Sequence, residues 1–234
     1  MNVRVEFDTS KFNLATIAKN VLGEIKSKGF KYFVIMQFTG GQSPLISVPL
    51  KTTENGQQVS DWSKVQYNYE NEPLKRHYPI EKAQEFVDKF AAEYPETAII
   101  LYQLPNEPAP QNKNTFQMVI PYLAYEELSK FPECDGIVAI DSSLQHLVAG
   151  NTKGVILWAH SLPENFGYQS YVNIVQGCRR DDILYFSMLG SSGARVKYIE
   201  PDDLLEIVKT SLCPEADGGI YEYKDGKYVK RGKC

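Results

Sequence analysis

The chain has 234 residues, 43% hydrophobic and 23% charged, with a formal net charge of -4. That is the make-up of a globular protein able to bury a core as one large domain or two small ones. The acidic balance excludes a nucleic-acid binder that works by bulk charge, and no apolar run approaches the ~20 residues of a membrane helix. The amino terminus has no signal-peptide core. Cys134, Cys178, Cys213 and Cys234 lie far apart with no C-x-x-C. This spacing predicts isolated thiols in a reducing, cytoplasmic compartment and no metal site.

Leu14, Ile17, Ala18, Val21, Leu22 and Ile25 recur at helical spacing and predict an amphipathic helix over 10–28, capped by Ser10 and stopped by Gly29. Residues 32–38, Tyr-Phe-Val-Ile-Met-Gln-Phe, read as a strand buried on both faces. Thr39-Gly40-Gly41 follows. It is either a plain turn or backbone able to approach a ligand closely. The stretch 45–74 is long, polar and weakly periodic, with Asn55-Gly56 as a hairpin tip. A segment of this length is a lid, a binding loop or a disordered insert.

Lys75-Arg76-His77 stands just before a helix over 79–93, opened by Pro79 and striped by Ala83, Phe86, Val87, Phe90 and Ala91. Cations oppose the dipole at a helix amino terminus, so the triplet is either a solvated turn or one side of an anion site. Strands are predicted at 97–103 and 116–120, with Glu107 in the loop between them, and a short helix at 125–131.

Ile137-Val138-Ala139-Ile140 is a buried strand ending in Asp141. Ser142 or Ser143 can cap the helix that follows, whose inner face is Leu144, Leu147 and Val148. A strand that ends in an acid and runs into a helix builds a site, because ligands of open α/β sheets bind outside the carboxyl strand ends. Asp141 is either the acid of that site or a capping residue, and His146 is either a ligand-facing ring or a structural one. Strands at 154–160 and 171–175, a helix at 201–210 and an Asp225-Gly226 hairpin over 220–230 complete the chain.

Strands alternating with helices predict an α/β fold, a single doubly wound parallel sheet of Rossmann-like type. Residues 1–30 form a helical extension, 31–212 the main domain with the insert at 45–74, and 213–234 a tail with its hairpin. No G-x-G-x-x-G and no P-loop is present.

Three motifs in order give these residues a family likeness: Thr39-Gly40-Gly41 after a strand, Arg76-His77-Tyr78-Pro79 opening a helix, and Asp141-Ser142-Ser143-Leu144-Gln145-His146. From about residue 31 to 210 the chain resembles the carboxyl-terminal, nucleotide-sugar-binding half of glycosyltransferase family 9. These are the heptosyltransferases, two-domain enzymes of the GT-B fold. The resemblance implies a metal-independent glycosyltransferase without a cofactor. It would move a sugar from a nucleotide-diphosphate donor to a glycan or lipopolysaccharide acceptor, and self-association into a homo-oligomer is compatible with it. Thr39, Gly40, Gly41 and Arg76 would face the donor phosphates, and Asp141 the sugar. Ser142, Ser143 and His146 would line the nucleotide, and Glu107 would hold the ribose. Asp141 and Arg76 are then the candidate catalytic residues. The family's first half carries the acceptor site and the general base, whereas only about thirty residues precede the first strand here. The alternative is therefore a non-catalytic domain that binds a nucleotide or nucleotide sugar.

Overall fold

Runs of β-branched and aromatic residues with no polar alternation can sit only where both sheet faces are covered. Five such runs form the middle of one sheet in the computed structural model, which describes residues 3–6, 13–39, 45–47, 50–53, 58–60, 66–68, 77–103, 107–159, 163–176, 197–212 and 217–231. They are β2 (Tyr32–Gln37), β7 (Thr97–Leu101), β9 (Cys134–Ile140), β10 (Gly154–Trp158) and β11 (Val172–Val175), each almost wholly buried. With β1 (Val3–Glu6), β8 (Thr115–Val119), β12 (Gly219–Lys224) and β13 (Lys227–Arg231) they form nine strands in the order β1-β8-β7-β2-β9-β10-β11-β12-β13. Every neighbouring pair is parallel except β12 with β13.

The chain leaves β2 for β7 and β8 on one side, then returns to lay β9, β10, β11 and β12 on the other. The reversal falls between β2 and β9. That is where an open α/β sheet has a crevice at its carboxyl edge. The doubly wound parallel sheet expected from the sequence is therefore present.

Helices cover both faces. On one, α2 (Ile80–Glu93) and α6 (Pro201–Ser211) bring Phe86, Phe90, Leu204 and Val208 onto Val34, Ile99, Val138 and Val155. On the other, α1 (Leu14–Ser27), α3 (Ala124–Ser129) and the five-residue α4 (Ser143–Leu147) bring Val21, Ile25, Leu128 and Leu144 onto Phe33, Ile35, Ala139 and Trp158. Lys82–Glu200, Lys89–Asp202 and Lys209–Glu93 join α2 to α6. These pairs are solvent-screened and add little, so the apolar stripes decide the packing. The short α5 (Pro163–Phe166) lies between β10 and β11.

Several boundaries differ from those the sequence predicts. The cap of α1 is Asn13, whose side chain accepts from Thr16 N–H at 2.9 Å, and the helix starts at Leu14. The expected cap, Ser10, lies outside the described residues. The extension before residue 31 supplies β1 as well as a helix; β1 lies at the sheet edge, parallel to β8. Strand β9 begins three residues early, at Cys134, and a register shift against β2 absorbs the extra residue. The tail hairpin forms as expected. Asp225 at φ 50° and Gly226 at φ 86° make the two-residue left-handed turn that suits strand twist. Within the 45–74 insert, β3 (Leu45–Ser47) pairs with β6 (Gln66–Asn68), and β4 (Leu50–Thr52) with β5 (Gln58–Ser60). The tip at Asn55-Gly56 lies outside the described residues.

Three phenols are buried and donate to backbone carbonyls: Tyr78 to Ile199 O at 2.8 Å, Tyr171 to Gln145 O at 3.3 Å and Tyr125 to Met118 O at 3.4 Å. Burial pushes all three above the ordinary value of 10.0. The folded chain therefore holds these protons more tightly than the unfolded one, and stability falls as pH rises past about 10. In an alkaline titration these phenols should ionise together with the loss of circular dichroism. Full phenolate absorbance while the fold persists would contradict this.

Candidate functional site

Three strand ends meet at the crevice, and one polar chain crosses them. Strand β2 ends in Gln37, followed by Phe38 and Thr39. Both Gln37 and Thr39 are buried. The Thr39 hydroxyl donates to Glu107 Oε2 at 2.7 Å, tying β2 to the loop after β7. Gln37 Nε2 donates to Thr39 O at 2.8 Å. On the far side of the reversal, the Ser142 hydroxyl donates to Gln37 Oε1. Glu107, Thr39, Gln37 and Ser142 thus form one continuous hydrogen-bonded line across β7, β2 and β9. Gln103 Nε2 holds the Glu107 carbonyl at 3.2 Å.

Asp141 sits at the end of β9, 4% exposed, with its N–H on Leu157 O at 3.1 Å. Ser142 caps α4 by accepting from Leu144 N–H at 3.4 Å. A tyrosine pair seats the next residue. The Tyr122 hydroxyl donates to Ser143 O at 3.1 Å, and the Tyr102 ring packs beside Tyr122. Burial raises the Tyr102 phenol above its ordinary value, and the nearby Ser143 side chain opposes that rise. The two rings are 5.8 Å apart and Tyr122 is 39% exposed, so the site has an aromatic rim.

The expected residues divide into three sets. Thr39, Glu107 and Ser142 belong to one network, with Ser143 beside it on the tyrosine pair and Asp141 preceding Ser142. His146 meets a different neighbour: its Nδ1 lies 3.1 Å from the Tyr168 hydroxyl, in the turn that leads into β11. Gly40, Gly41 and Arg76 lie outside the described residues. The segment after Arg76 is anchored beside the site. Tyr78 N–H donates to Phe38 O at 2.9 Å, and its buried ring packs on Phe38 at 6.0 Å.

Gln37, Tyr102 and Tyr122 did not stand out in the sequence. Gln37 left a trace, as the one polar residue in a buried apolar strand. The tyrosines left none beyond their place near strand ends.

A carboxylate can accept several hydrogen bonds, and Thr39 takes one at Glu107. A half-buried acid held in place at a strand end suits hydroxyl recognition. Among the described residues no group of three or more His, Cys, Asp or Glu could hold a metal ion. No described helix is long and apolar enough to cross a membrane.

No protein-family model and no curated protein matches the chain. Among solved structures it is similar to a glycosyltransferase family 9 protein from Veillonella parvula DSM 2008, at a TM-score of 0.54 and 10% sequence identity. The likeness covers 91% of this chain and 55% of that one, so the chain spans about half the length of the protein it resembles. At that identity the likeness is one of fold: this chain shares the α/β architecture of that protein.

Proposed function

We propose that the protein binds a nucleotide-diphosphate sugar at the carboxyl edge of β2, β7 and β9, and that it is a glycosyltransferase of the heptosyltransferase type. The observation that carries the reading is the line Glu107–Thr39–Gln37–Ser142, built across the point where strand order reverses. Glu107 would accept from the ribose hydroxyls, and Asp141 would approach the sugar. Diphosphate needs cations and backbone donors. In this reading Arg76, two residues before the anchored Tyr78, supplies the cation, and Thr39, Gly40 and Gly41 the donors. In transfer the acceptor oxygen would bond the anomeric carbon as the bond to the nucleoside diphosphate breaks. The hydroxyl proton would pass to the general base that the family carries in its acceptor half, and fixed dipoles and Arg76 would stabilise the departing diphosphate.

Calorimetry with ADP, UDP, GDP, CDP and their sugars tests binding, and labelled donors with candidate glycan acceptors test transfer. One nucleotide should bind, and Arg76→Ala should weaken it about tenfold or more, as expected for a lost charge-assisted contact of 1.5–3 kcal/mol. Binding without turnover would favour a non-catalytic nucleotide-sugar binder. No heat with any nucleotide would remove both readings.

A further inference from the structure

A second concavity lies at the opposite end of the sheet from the Thr39–Glu107 network. It is a cavity of ≈ 580 Å³ between the turns that lead into β10, β11 and β12, within the size range of small-molecule sites. Its walls are tied together. Gly219 N–H donates to Tyr171 O at 3.0 Å, the Lys230 ammonium to Asp217 O at 3.3 Å, and Arg231 pairs with Glu164 at 3.3 Å. A Cβ on Gly218 would lie 2.0 Å from Gln169 O, so the backbone walls meet where only glycine fits.

The 167–170 wall is also fixed from behind. Asn173 Nδ2 donates to Tyr168 O at 3.1 Å and Tyr171 O at 3.0 Å, and Asn173 Oδ1 accepts from Trp158 Nε1 at 2.9 Å. The Tyr168 ring is held by His146 at its hydroxyl and by an edge contact with Tyr171 at 5.7 Å. The site is therefore preorganised, which lowers the ordering cost of binding.

The lining selects the ligand. Tyr168, partly exposed, is its aromatic lining residue, backed by the buried Pro163 and Ile220, and Asn151, Thr152, Gln169 and Ser170 add amides and hydroxyls. Lys153, Glu164 and Asp217 line it too, and beside them Arg231 is shared by Glu164 and Glu222 while Lys230 reaches Asp217 O, so three bases stand against three acids. A balanced lining gives a net ion no advantage. Asn151 already holds Ser129 and Thr152 accepts from Cys134, but an apolar ligand would dry the Gln169 amide and the Ser170 hydroxyl, which costs free energy. A ring with hydroxyls at its edge and C–H groups on its face meets both demands. We propose that this cavity binds an uncharged saccharide unit, with Tyr168 as the platform under the sugar ring. The inference stands apart from the nucleotide reading, because it uses other residues at the other end of the sheet.

The test is a two-dimensional amide NMR titration of the full chain with glucose, galactose, mannose and N-acetylglucosamine at millimolar concentration. At least one sugar should shift the amides of 151–153, 167–170 and 218–220 and leave 37–39 and 142–144 in place. Tyr168→Ala should weaken binding about tenfold or more, the usual cost of removing an aromatic anchor. Tyr168→Phe, which keeps the ring, should retain it. Ser170→Trp, at an exposed position on the cavity wall, should block the site without touching the core. Absence of shifts with all four sugars would overturn the proposal. So would unchanged affinity in the Ser170→Trp variant, or the same shifts produced by inorganic phosphate or glycine instead of sugars. ADP titrated into the same sample reads the 37–39 and 142–144 amides, so the two readings fail separately.

Discussion

Replacing Trp158 by alanine is expected to lower the unfolding free energy by about 3–5 kcal/mol, the usual cost of emptying a large aromatic site. A domain of this kind has roughly 5–15 kcal/mol in all, so the variant should be marginal at growth temperature. Trp158 is 0% exposed at the end of β10, and its indole N–H donates to Asn173 at 2.9 Å. Removal therefore opens a cavity and takes a donor away from a buried amide that also holds Tyr168 and Tyr171. Trp158→Phe separates the two effects: it keeps most of the packing and loses the donor, at about 1–3 kcal/mol for the polar group left unmet. Chemical denaturation of both variants measures the difference. A Trp158→Phe variant as unstable as Trp158→Ala would place the whole effect in the hydrogen bond. One as stable as the parent would place it all in packing.

Trp158 also shows how far the sequence could be read. The strand around it was legible, because Gly154-Val155-Ile156-Leu157-Trp158 is an unbroken apolar run and both of its faces are covered. The stripe of α2 and the Asp225-Gly226 turn were legible for the same kind of reason: a period or a required dihedral is written locally. Strand β1 was not, because Val-Arg-Val-Glu is short and its pairing with β8 spans more than a hundred residues. The cap of α1 was misplaced because Ser10 and Asn13 are equally good caps, and only the first turn of the formed helix chooses between them. Asn173 gave a faint signal as one amide inside Val-Asn-Ile-Val, but its partners come from β10 and from the turn before it.

The candidate site divides in the same way. Asp141 and Ser142 could be found because a strand, an acid and a cap follow one another in the chain. The joining of Thr39 to Glu107 spans 68 residues, and no local pattern encodes it. His146 shares a motif with Asp141 and Ser142. Yet α4 carries it toward Tyr168 instead, since a few residues along a helix turn a side chain to a different neighbour. Nearness in sequence groups His146 with Asp141 and Ser142, and only the geometry of one short helix shows that its ring meets Tyr168.

Glu107→Ala is expected to weaken nucleotide binding about ten- to hundredfold, corresponding to about 1.5–3 kcal/mol for hydrogen bonds to a charged group. The argument is local. Glu107 is partly buried and held by Thr39 at 2.7 Å, so its carboxylate is already oriented before a ligand arrives and little ordering cost remains. Glu107→Gln keeps an acceptor for Thr39 but loses the charge, so it should fall between the parent and Glu107→Ala. Thr39→Val removes the positioning hydroxyl and leaves the carboxylate. It should reduce affinity less than Glu107→Ala, and the two losses should not add, because both act on one contact. Glu107→Ala should also cost about 1 kcal/mol or more of stability, because the buried Thr39 hydroxyl loses its acceptor. Calorimetry on the two single variants and the double variant measures the coupling. Losses that add in full would mean that Thr39 and Glu107 meet the nucleotide independently. Unchanged affinity in Glu107→Ala would move the nucleotide away from the carboxyl edge of β7.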